Sequence, residues 1–242
     1  MGKRIITQRR GRGTFTYKAH SHRSPGALTH HTFDQKEKTE VVTGTVKALI
    51  HSRAHSAPLA HVQFEDKENV LMPAPLGMRE GATLQSGLKA ELKPGNTLPL
   101  KQIPEGTDIY NIESSVGDGG KFARSSGTTA KVLAQRGPIT LIQLPSKKER
   151  EFNAECRATI GIVAGGGRKE KPFVKAGKRH HAMRGRGKLY PQTSGVAMNA
   201  VDHPFGSGRG RHVGKPKVPP RFAPPGRNIG LLHARRTGRK KR

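Results

Sequence analysis

The chain has 242 residues, and its 45 Lys and Arg against 17 Asp and Glu give a formal net charge of +28 at pH 7. Such a charge indicates nucleic acid, an anionic membrane surface or another acidic polymer as the partner. No apolar run approaches the roughly 20 residues of a membrane span, and no basic amphipathic helix is evident. The N-terminus lacks the apolar stretch of a secretory signal, and one cysteine, Cys156, excludes an intramolecular disulfide. We therefore expect a cytoplasmic protein that binds nucleic acid and no membrane.

The charge is unevenly distributed along the chain. Residues 1–40 carry 9 Lys and Arg against 3 acids, residues 41–160 carry 15 against 12, and residues 161–242 carry 21 against 2. A segment as basic as the last one repels itself and does not collapse without a polyanion. The nearly neutral middle is balanced enough to fold unaided. The sequence therefore predicts a folded middle with a basic arm at each end.

The first predicted strands follow an N-terminal segment without a regular residue pattern. Residues 1–40 have no sustained period of 2 or 3.6 and predict a basic N-terminal extension. Short β-branched segments separated by Gly, Pro and Asn then predict strands at residues 41–50, 59–64, 70–72, 81–84 and 88–92. This spacing favours a small barrel over residues 41–95.

A second group of strands follows the turn signal at residues 94–96. Its members are predicted at residues 108–113, 130–135, 139–144, 151–153 and 158–163. They indicate a second small barrel over residues 96–165, in tandem with the first. The apolar pattern stops at residue 164, and no segment shows helical periodicity over more than two turns. We expect a mainly β fold with an irregular, Gly- and Pro-rich C-terminal extension over residues 166–242.

Three glycine-rich segments lie at residues 117–121, 165–168 and 206–211. None has the glycine spacing of a phosphate-cradling P-loop, so nucleotide hydrolysis is not expected. Tight turns are the plain interpretation. A second interpretation is favoured, because glycine beside arginine lets the backbone approach phosphates while the guanidinium binds phosphate oxygens or stacks on a base.

The twelve histidines include the pairs His20 and His22, His30 and His31, and His180 and His181. Closed zinc sites usually draw on cysteines or on regularly spaced histidines, and cationic neighbours disfavour a dication. We therefore expect no metal and no cofactor. Hydrogen bonding and stacking against RNA is the favoured role for these side chains.

No arrangement of residues in the sequence predicts catalytic activity. Cys156 lies just before a predicted strand, without a nucleophile-elbow sequence around it. Asp202 and His203 could suggest acid–base chemistry, but adjacent side chains in extended chain rarely point at each other, and a rigid X-Pro turn explains them better. Aromatic residues make up only 5% of the chain, without Trp, so stacking on single strands is not the main signal. Phosphate neutralisation on a folded RNA fits better.

Five motifs lie at residues 93–104, 119–127, 156–161, 171–177 and 195–216, and together they span nearly the whole chain. Their sequences and their order resemble the L-two family of large-subunit ribosomal proteins. Ala200, Phe205 and the short N-terminal arm look archaeal-type. The resemblance implies an OB-fold barrel, then an SH3-like barrel, with both extensions threading the large-subunit rRNA and the C-terminal one approaching the peptidyl transferase centre.

The same resemblance implies a function and its partners. The family consists of primary rRNA binders that support subunit assembly, subunit association, tRNA binding and organisation of the peptidyl transferase region. The implied partners are large-subunit rRNA, neighbouring ribosomal proteins, and small-subunit rRNA at an intersubunit bridge. Direct participation of His203 in peptide-bond formation is the enzymatic alternative. A free RNA or DNA chaperone is the third reading.

Particular residues match family positions. Arg124 matches a position important for rRNA binding, and Asp202 and His203 match the signature that the family places nearest the catalytic centre. Many members carry Arg before Ser-Ala in the first barrel, whereas this chain has His55, so we expect a weak phosphate contact there, with Arg53 as a substitute. The predicted rRNA-binding residues are Arg9, Arg10, Arg12, Arg53, Lys121, Arg124, Arg168, Lys175, Lys178, Arg179, Arg184, Arg186, His203, Arg209, Arg211 and Lys215.

Overall fold

The computed structural model describes residues 2–6, 10, 12–18, 20, 22, 24–210, 212–213 and 222. The chain divides into two compact units. The sheet unit is His20–Val174, and the terminal unit combines Met1–Ala19 with Lys175–Arg242. Within the described ranges, no helix is long and apolar enough to cross a membrane.

The sheet unit is built around one sheet of ten strands, which confirms the mainly β fold predicted from the sequence. The strands are β1 (Val41–Ile50), β2 (Leu59–Phe64), β3 (Asn69–Pro73), β4 (Thr83–Gly87), β5 (Thr97–Pro99), β6 (Asp108–Tyr110), β7 (Ala130–Arg136), β8 (Ile139–Gln143), β9 (Glu149–Asn153) and β10 (Arg157–Ile160). Their order is β3-β2-β1-β4-β5-β10-β6-β7-β8-β9. The neighbours pair antiparallel except β4 and β5, which pair in parallel where Ser86 faces Thr97.

The first four strands enclose a core of their own. Over its first six residues, 41–46, β1 alternates between half-buried and buried, as a period of 2 requires when one face packs inward. Gly44 lies opposite Phe64 on β2, and a Cβ added at Gly44 would come within 2.8 Å of the Phe64 ring. The missing side chain therefore makes room for the aromatic ring. The other members of this core include Val42, Val46, Val62, Val70, Met72 and Leu84.

The remaining six strands enclose a second core. Its buried members include Leu98, Leu100, Ile103, Ile109, Ile112, Val132, Ile142, Phe152 and Ile160. Two successive β cores, joined through the single parallel pair, are consistent with an OB-fold barrel followed by an SH3-like barrel. The domain bounds after residues 40, 95 and 165 stay predictions.

Two strand predictions were wrong in detail. Residues 88–92 form turns rather than a strand, because β4 ends at Gly87 with φ +136, where a Cβ would collide with the Glu40 carbonyl oxygen. The three-residue strand Thr97–Pro99 was missed, since so short a segment shows no period.

Two helices were also missed. Helix α1 (Gln35–Thr39) is only five residues long and begins where the Asp34 side chain accepts a hydrogen bond from the Glu37 backbone amide. Helix α2 (Ala176–Gly185) has no buried residue, so its sequence carries no apolar stripe that could have indicated a helix.

Candidate nucleic-acid interface

A cluster of loops at the sheet unit's surface brings predicted RNA-binding residues together. Three loops form it: the β1–β2 loop, the turn at residues 123–128, and the turn at residues 165–168. The Ser126 backbone amide donates to Ser56 Oγ at 3.1 Å, and Arg168 Nε donates to Ser126 Oγ at 3.1 Å. Arg124 is half-buried in the same turn and donates through a guanidinium nitrogen to the Leu28 carbonyl oxygen at 3.3 Å. We call His55, Ser56, Arg124, Ser126 and Arg168 the arginine patch.

Glycine lets two turns of this patch approach closely. Gly127 has φ +68, and a Cβ added there would lie 2.6 Å from the Gly166 Cα. The Gly127 amide also donates to the Val163 carbonyl oxygen at 3.0 Å. Backbone therefore packs on backbone, and the arginines that flank these glycines are held at fixed positions.

His55 lies in the patch but contributes no permanent charge. Its Nδ1 lies 3.0 Å from the Ser52 hydroxyl, which is buried. Burial, together with the nearby charge of Arg124, lowers the pKa of His55 below its usual value. The lowered pKa favours the neutral imidazole; the expected weak phosphate contact at this position stays a prediction. Arg53 is exposed in the same loop.

The glycine-rich loop at residues 117–121 does not cradle phosphate. The amides of Gly117 and Gly119 both donate to the Glu113 carboxylate at 3.2 Å. Asp118 accepts from further backbone amides and pairs with Lys121, whose Nζ lies 3.0 Å away. Carboxylates of the same chain therefore occupy these amides, so the favoured interpretation, close approach of this backbone to RNA phosphates, finds no support at residues 117–121.

A buried ionic network lies beneath the sheet unit's surface, and sequence reasoning missed it. Arg157 is 2% exposed and donates to Glu37 Oε2 at 2.5 Å, to Glu113 Oε1 at 2.7 Å and to the His31 carbonyl oxygen at 2.7 Å. Burial alone would raise the pKa of Glu113, but hydrogen bonds to Arg157 and its charge lower it overall. The members of this ionic network are far apart in sequence, so no local sequence pattern indicates the network.

The network corrects the interpretation of His30 and His31 as RNA-contacting residues. Both are buried, at 3% and 2% exposure. His30 Nε2 lies 2.7 Å from the Asn111 carbonyl oxygen, and His31 Nε2 lies 2.7 Å from Asp66 Oδ2. Residues 28–37 are therefore packed into the sheet unit rather than extended, because their polar side chains find partners there.

Within the described part of the chain, His31, Asp66 and Glu68 form one group whose ligand atoms lie within 4.8 Å of one another. Burial would lower the pKa of His31, but the nearby Glu37 carboxylate, 3.9 Å from Nδ1, and the hydrogen bond to Asp66 outweigh it and raise the pKa to about 9. The ring therefore carries a proton at pH 7 and forms salt bridges with Asp66 and Glu68, at 2.7 and 3.2 Å.

The terminal unit presents most of the predicted basic residues. Helix α2 exposes Lys178, Arg179 and Arg184, and Lys175 and Arg186 flank it, also exposed. The Arg179 guanidinium lies 5.2 Å from the centroid of the Tyr190 ring. Because the helix buries none of its residues, its cations are available to an external polyanion. Arg10, Arg12 and Arg209 are likewise exposed, whereas Arg9, Arg211 and Lys215 lie outside the described residues.

Asp202 and His203 lie in a tight turn of the terminal unit. Both backbone amides donate to the Asn199 carbonyl oxygen, at 2.9 and 3.1 Å. The Phe205 amide donates to His203 Nδ1 at 3.1 Å. The Asp202 carboxylate lies 3.5 Å from Lys3 Nζ.

Cys156 is free and fully buried in the second core. Burial raises the pKa of its thiol to about 11, so the sulfur is a thiol rather than a nucleophilic thiolate at pH 7. Its role is therefore packing.

Comparison with known proteins identifies similar ribosomal proteins. A family model described as "Ribosomal Proteins L2, C-terminal domain" matches residues 93–221, more than half of the chain. The large ribosomal subunit protein uL2 of Haloquadratum walsbyi is 54% identical over 239 residues, covering 99% of this chain and 97% of that protein. The uL2 proteins of Methanopyrus kandleri and Methanothermobacter thermautotrophicus are 53% and 50% identical, covering 99% and 100% of this chain and 98% and 100% of theirs.

The chain belongs to the L2 family of large-subunit ribosomal proteins. Its similarity to these archaeal members over almost their whole length confirms the family resemblance and its archaeal type. Membership also confirms the predicted localisation in the cytoplasmic ribosome.

Proposed function

We propose that the chain is a structural, primary rRNA-binding constituent of the large ribosomal subunit, without catalytic activity of its own. The arginine patch carries the proposal for the sheet unit, because it is the place where predicted RNA-binding residues from separate loops meet. The L2 family membership supports the same conclusion. The relatives are named as proteins of the large subunit.

The two units bind rRNA in different ways. The sheet unit offers a few placed cations on a rigid scaffold, which suits one docking position on folded RNA. The terminal unit exposes many cations on α2 and its flanks, which suits screening of phosphates where RNA segments crowd together. Through these contacts the protein supports assembly, subunit association, tRNA binding and the peptidyl transferase region. Neighbouring ribosomal proteins and small-subunit rRNA are the further proposed partners.

The salt dependence of rRNA binding tests the role of the arginine patch. Each phosphate contact that is lost reduces the slope of log K against log salt by about 0.7–0.9. We expect Arg124→Gln with Arg168→Gln to lower that slope by about 1–2 in full-length protein bound to large-subunit rRNA. The matched control is Arg136→Gln, which removes an exposed arginine at the end of β7. Equal slopes for the patch variant and the control contradict the proposed docking site.

A further inference from the structure

His203 is held on a turn that leaves its backbone little freedom. Besides the two amides that donate to the Asn199 carbonyl oxygen, the Gly206 amide donates to the His203 carbonyl oxygen at 2.9 Å. Gly206 packs so closely on the backbone of Asn199 that a Cβ would not fit. The turn therefore fixes the direction in which the imidazole leaves the chain.

The imidazole ring itself is packed against two residues. A Cβ added at Gly195 would lie 2.5 Å from the His203 ring, so the ring rests directly on glycine backbone. The Phe205 ring lies 4.9 Å from the imidazole, centroid to centroid, and Phe205 is 7% exposed. These contacts hold the ring in one orientation.

The hydrogen bond from the Phe205 amide decides the tautomer of the ring. A backbone N–H can act only as a donor. His203 Nδ1, 3.1 Å from the Phe205 backbone nitrogen, therefore accepts the hydrogen bond with its lone pair. In a neutral imidazole the proton then resides on Nε2. Within the described residues no hydrogen bond engages Nε2. The ring thus presents a fixed N–H donor.

The N-terminus reinforces the same turn. The Lys3 amide donates to the Val201 carbonyl oxygen at 2.8 Å, and Lys3 Nζ lies 3.5 Å from Asp202 Oδ1. The positive charge of Lys3 therefore compensates the negative charge of Asp202, the residue next to His203. An acceptor that carries negative charge can approach the imidazole without repulsion from an unpaired Asp202.

We propose that His203 binds rRNA as a fixed-tautomer donor, with Nε2–H donating to an acceptor atom of the large-subunit RNA. The acceptor is a phosphate oxygen or the N7 atom of a purine. This inference rests on the proposed rRNA-binding function. It also bears on the enzymatic alternative, because a general base at Nε2 needs a lone pair where this tautomer carries a proton.

The tautomer is tested directly by two-bond ¹H–¹⁵N correlation spectra of the full chain with labelled histidine, recorded where the ring is neutral. We expect the spectrum of His203 to show Nε2 protonated and Nδ1 bare. His51, which is exposed, is the internal reference. A His203 spectrum with Nδ1 protonated overturns the proposal.

The RNA contact is tested with Nε2-methylhistidine at position 203, which keeps the ring and the Nδ1 acceptor and removes the donor. We expect incorporation into reconstituted large subunits to fall about tenfold, as for one lost hydrogen bond. The same analogue at exposed His51 is the control. Equal incorporation of the two analogues overturns the donor role while leaving rRNA binding intact. Failure of the unsubstituted chain to assemble overturns both.

Nucleotide-analogue interference identifies the acceptor. We expect one nucleotide at which a phosphorothioate or a 7-deazapurine impairs assembly of the natural chain but not of the methylhistidine chain. Phosphorothioate interference identifies a phosphate oxygen, and 7-deazapurine interference identifies N7. Identical interference patterns for both chains contradict the proposal.

Discussion

At the scale of single residues, Arg157 connects parts of the chain that are far apart in sequence. Its guanidinium binds Glu37 of α1 and Glu113, which follows β6, and all three side chains are at most 2% exposed. Removing one partner of a buried ion pair leaves uncompensated charge and costs about 3–5 kcal/mol. We therefore expect Arg157→Met to lower the free energy of unfolding of the free protein by about that amount, measured by urea titration.

The exposed pair of Lys101 and Glu155 supplies the control for Arg157→Met. Their atoms lie 2.7 Å apart, but both side chains are in contact with solvent. Such pairs contribute about 0–1 kcal/mol, so Lys101→Met has little effect on unfolding. If both variants unfold at the same urea concentration, the network does not stabilise the fold as described.

Two buried histidines give the free protein a bell-shaped dependence of stability on pH. The pKa of His31 is raised to about 9, so the folded state keeps a proton that the unfolded state loses above its ordinary pKa of 6.5. That stabilisation is complete below pH 6.5 and is lost as the pH rises through 9. Burial, with the charge of Arg157, lowers the pKa of His30 to about 4, so its contribution is lost as the pH falls from 6.5 through 4.

Urea unfolding at pH 5, 6.5 and 9 measures this dependence. We expect a maximum near pH 6.5 and a loss on the order of 3 kcal/mol by pH 9 from the His31 shift. His31→Asn removes the titrating group, so it flattens the alkaline limb and leaves the acidic limb in place. A stability that rises from pH 6.5 to pH 9 contradicts the raised pKa of His31.

At the scale of elements, close approach of backbone sets the geometry of the arginine patch. Gly127 and Gly137 both have positive φ, but only Gly127 has backbone within reach of an added Cβ, at 2.6 Å, whereas nothing lies within 4 Å of one at Gly137. We expect Gly137→Ala to lower the free energy of unfolding by about 1 kcal/mol from φ strain alone. Gly127→Ala costs about 1–3 kcal/mol more, because the turns at residues 126 and 166 must separate.

The rRNA affinity of the same two variants tests whether the turns of the arginine patch matter for rRNA binding. Gly127→Ala displaces the turns that hold Arg124 and Arg168, so it weakens rRNA binding, whereas Gly137→Ala leaves binding unchanged. Equal rRNA affinity of the two variants contradicts the claim that these turns place the arginines.

At the scale of the whole molecule, the sequence predicts those strands and turns that a local residue pattern encodes. The period of 2 along β1 and the turn before β8 are local, so these strands were found. Helix α2 was not, since a helix without a buried face leaves no apolar period. The Arg157 network was missed because its partners lie up to 126 residues apart, as for the bond to the His31 carbonyl oxygen.

The candidate RNA-binding surface, like the fold, was only partly predictable from the sequence. Exposed cations such as Lys178 and Arg184 follow from charge alone, because a strongly basic segment has nowhere to bury them. Arg124 came from the family resemblance. Its meeting with Arg168 and Ser126 depends on how the turns at residues 123–128 and 165–168 fold together, and no pattern in either turn encodes the other.

The central claim is that the arginine patch and the terminal unit bind rRNA. Ultraviolet crosslinking of assembled large subunits, with mass spectrometry of the peptides joined to nucleotides, tests it most directly. We predict adducts on peptides that contain Arg124, Arg168 and residues 175–186, and none on β9, an edge strand that carries Glu149 and Glu151. Adducts on β9, with none on the Arg124 peptide or on α2, would contradict this account.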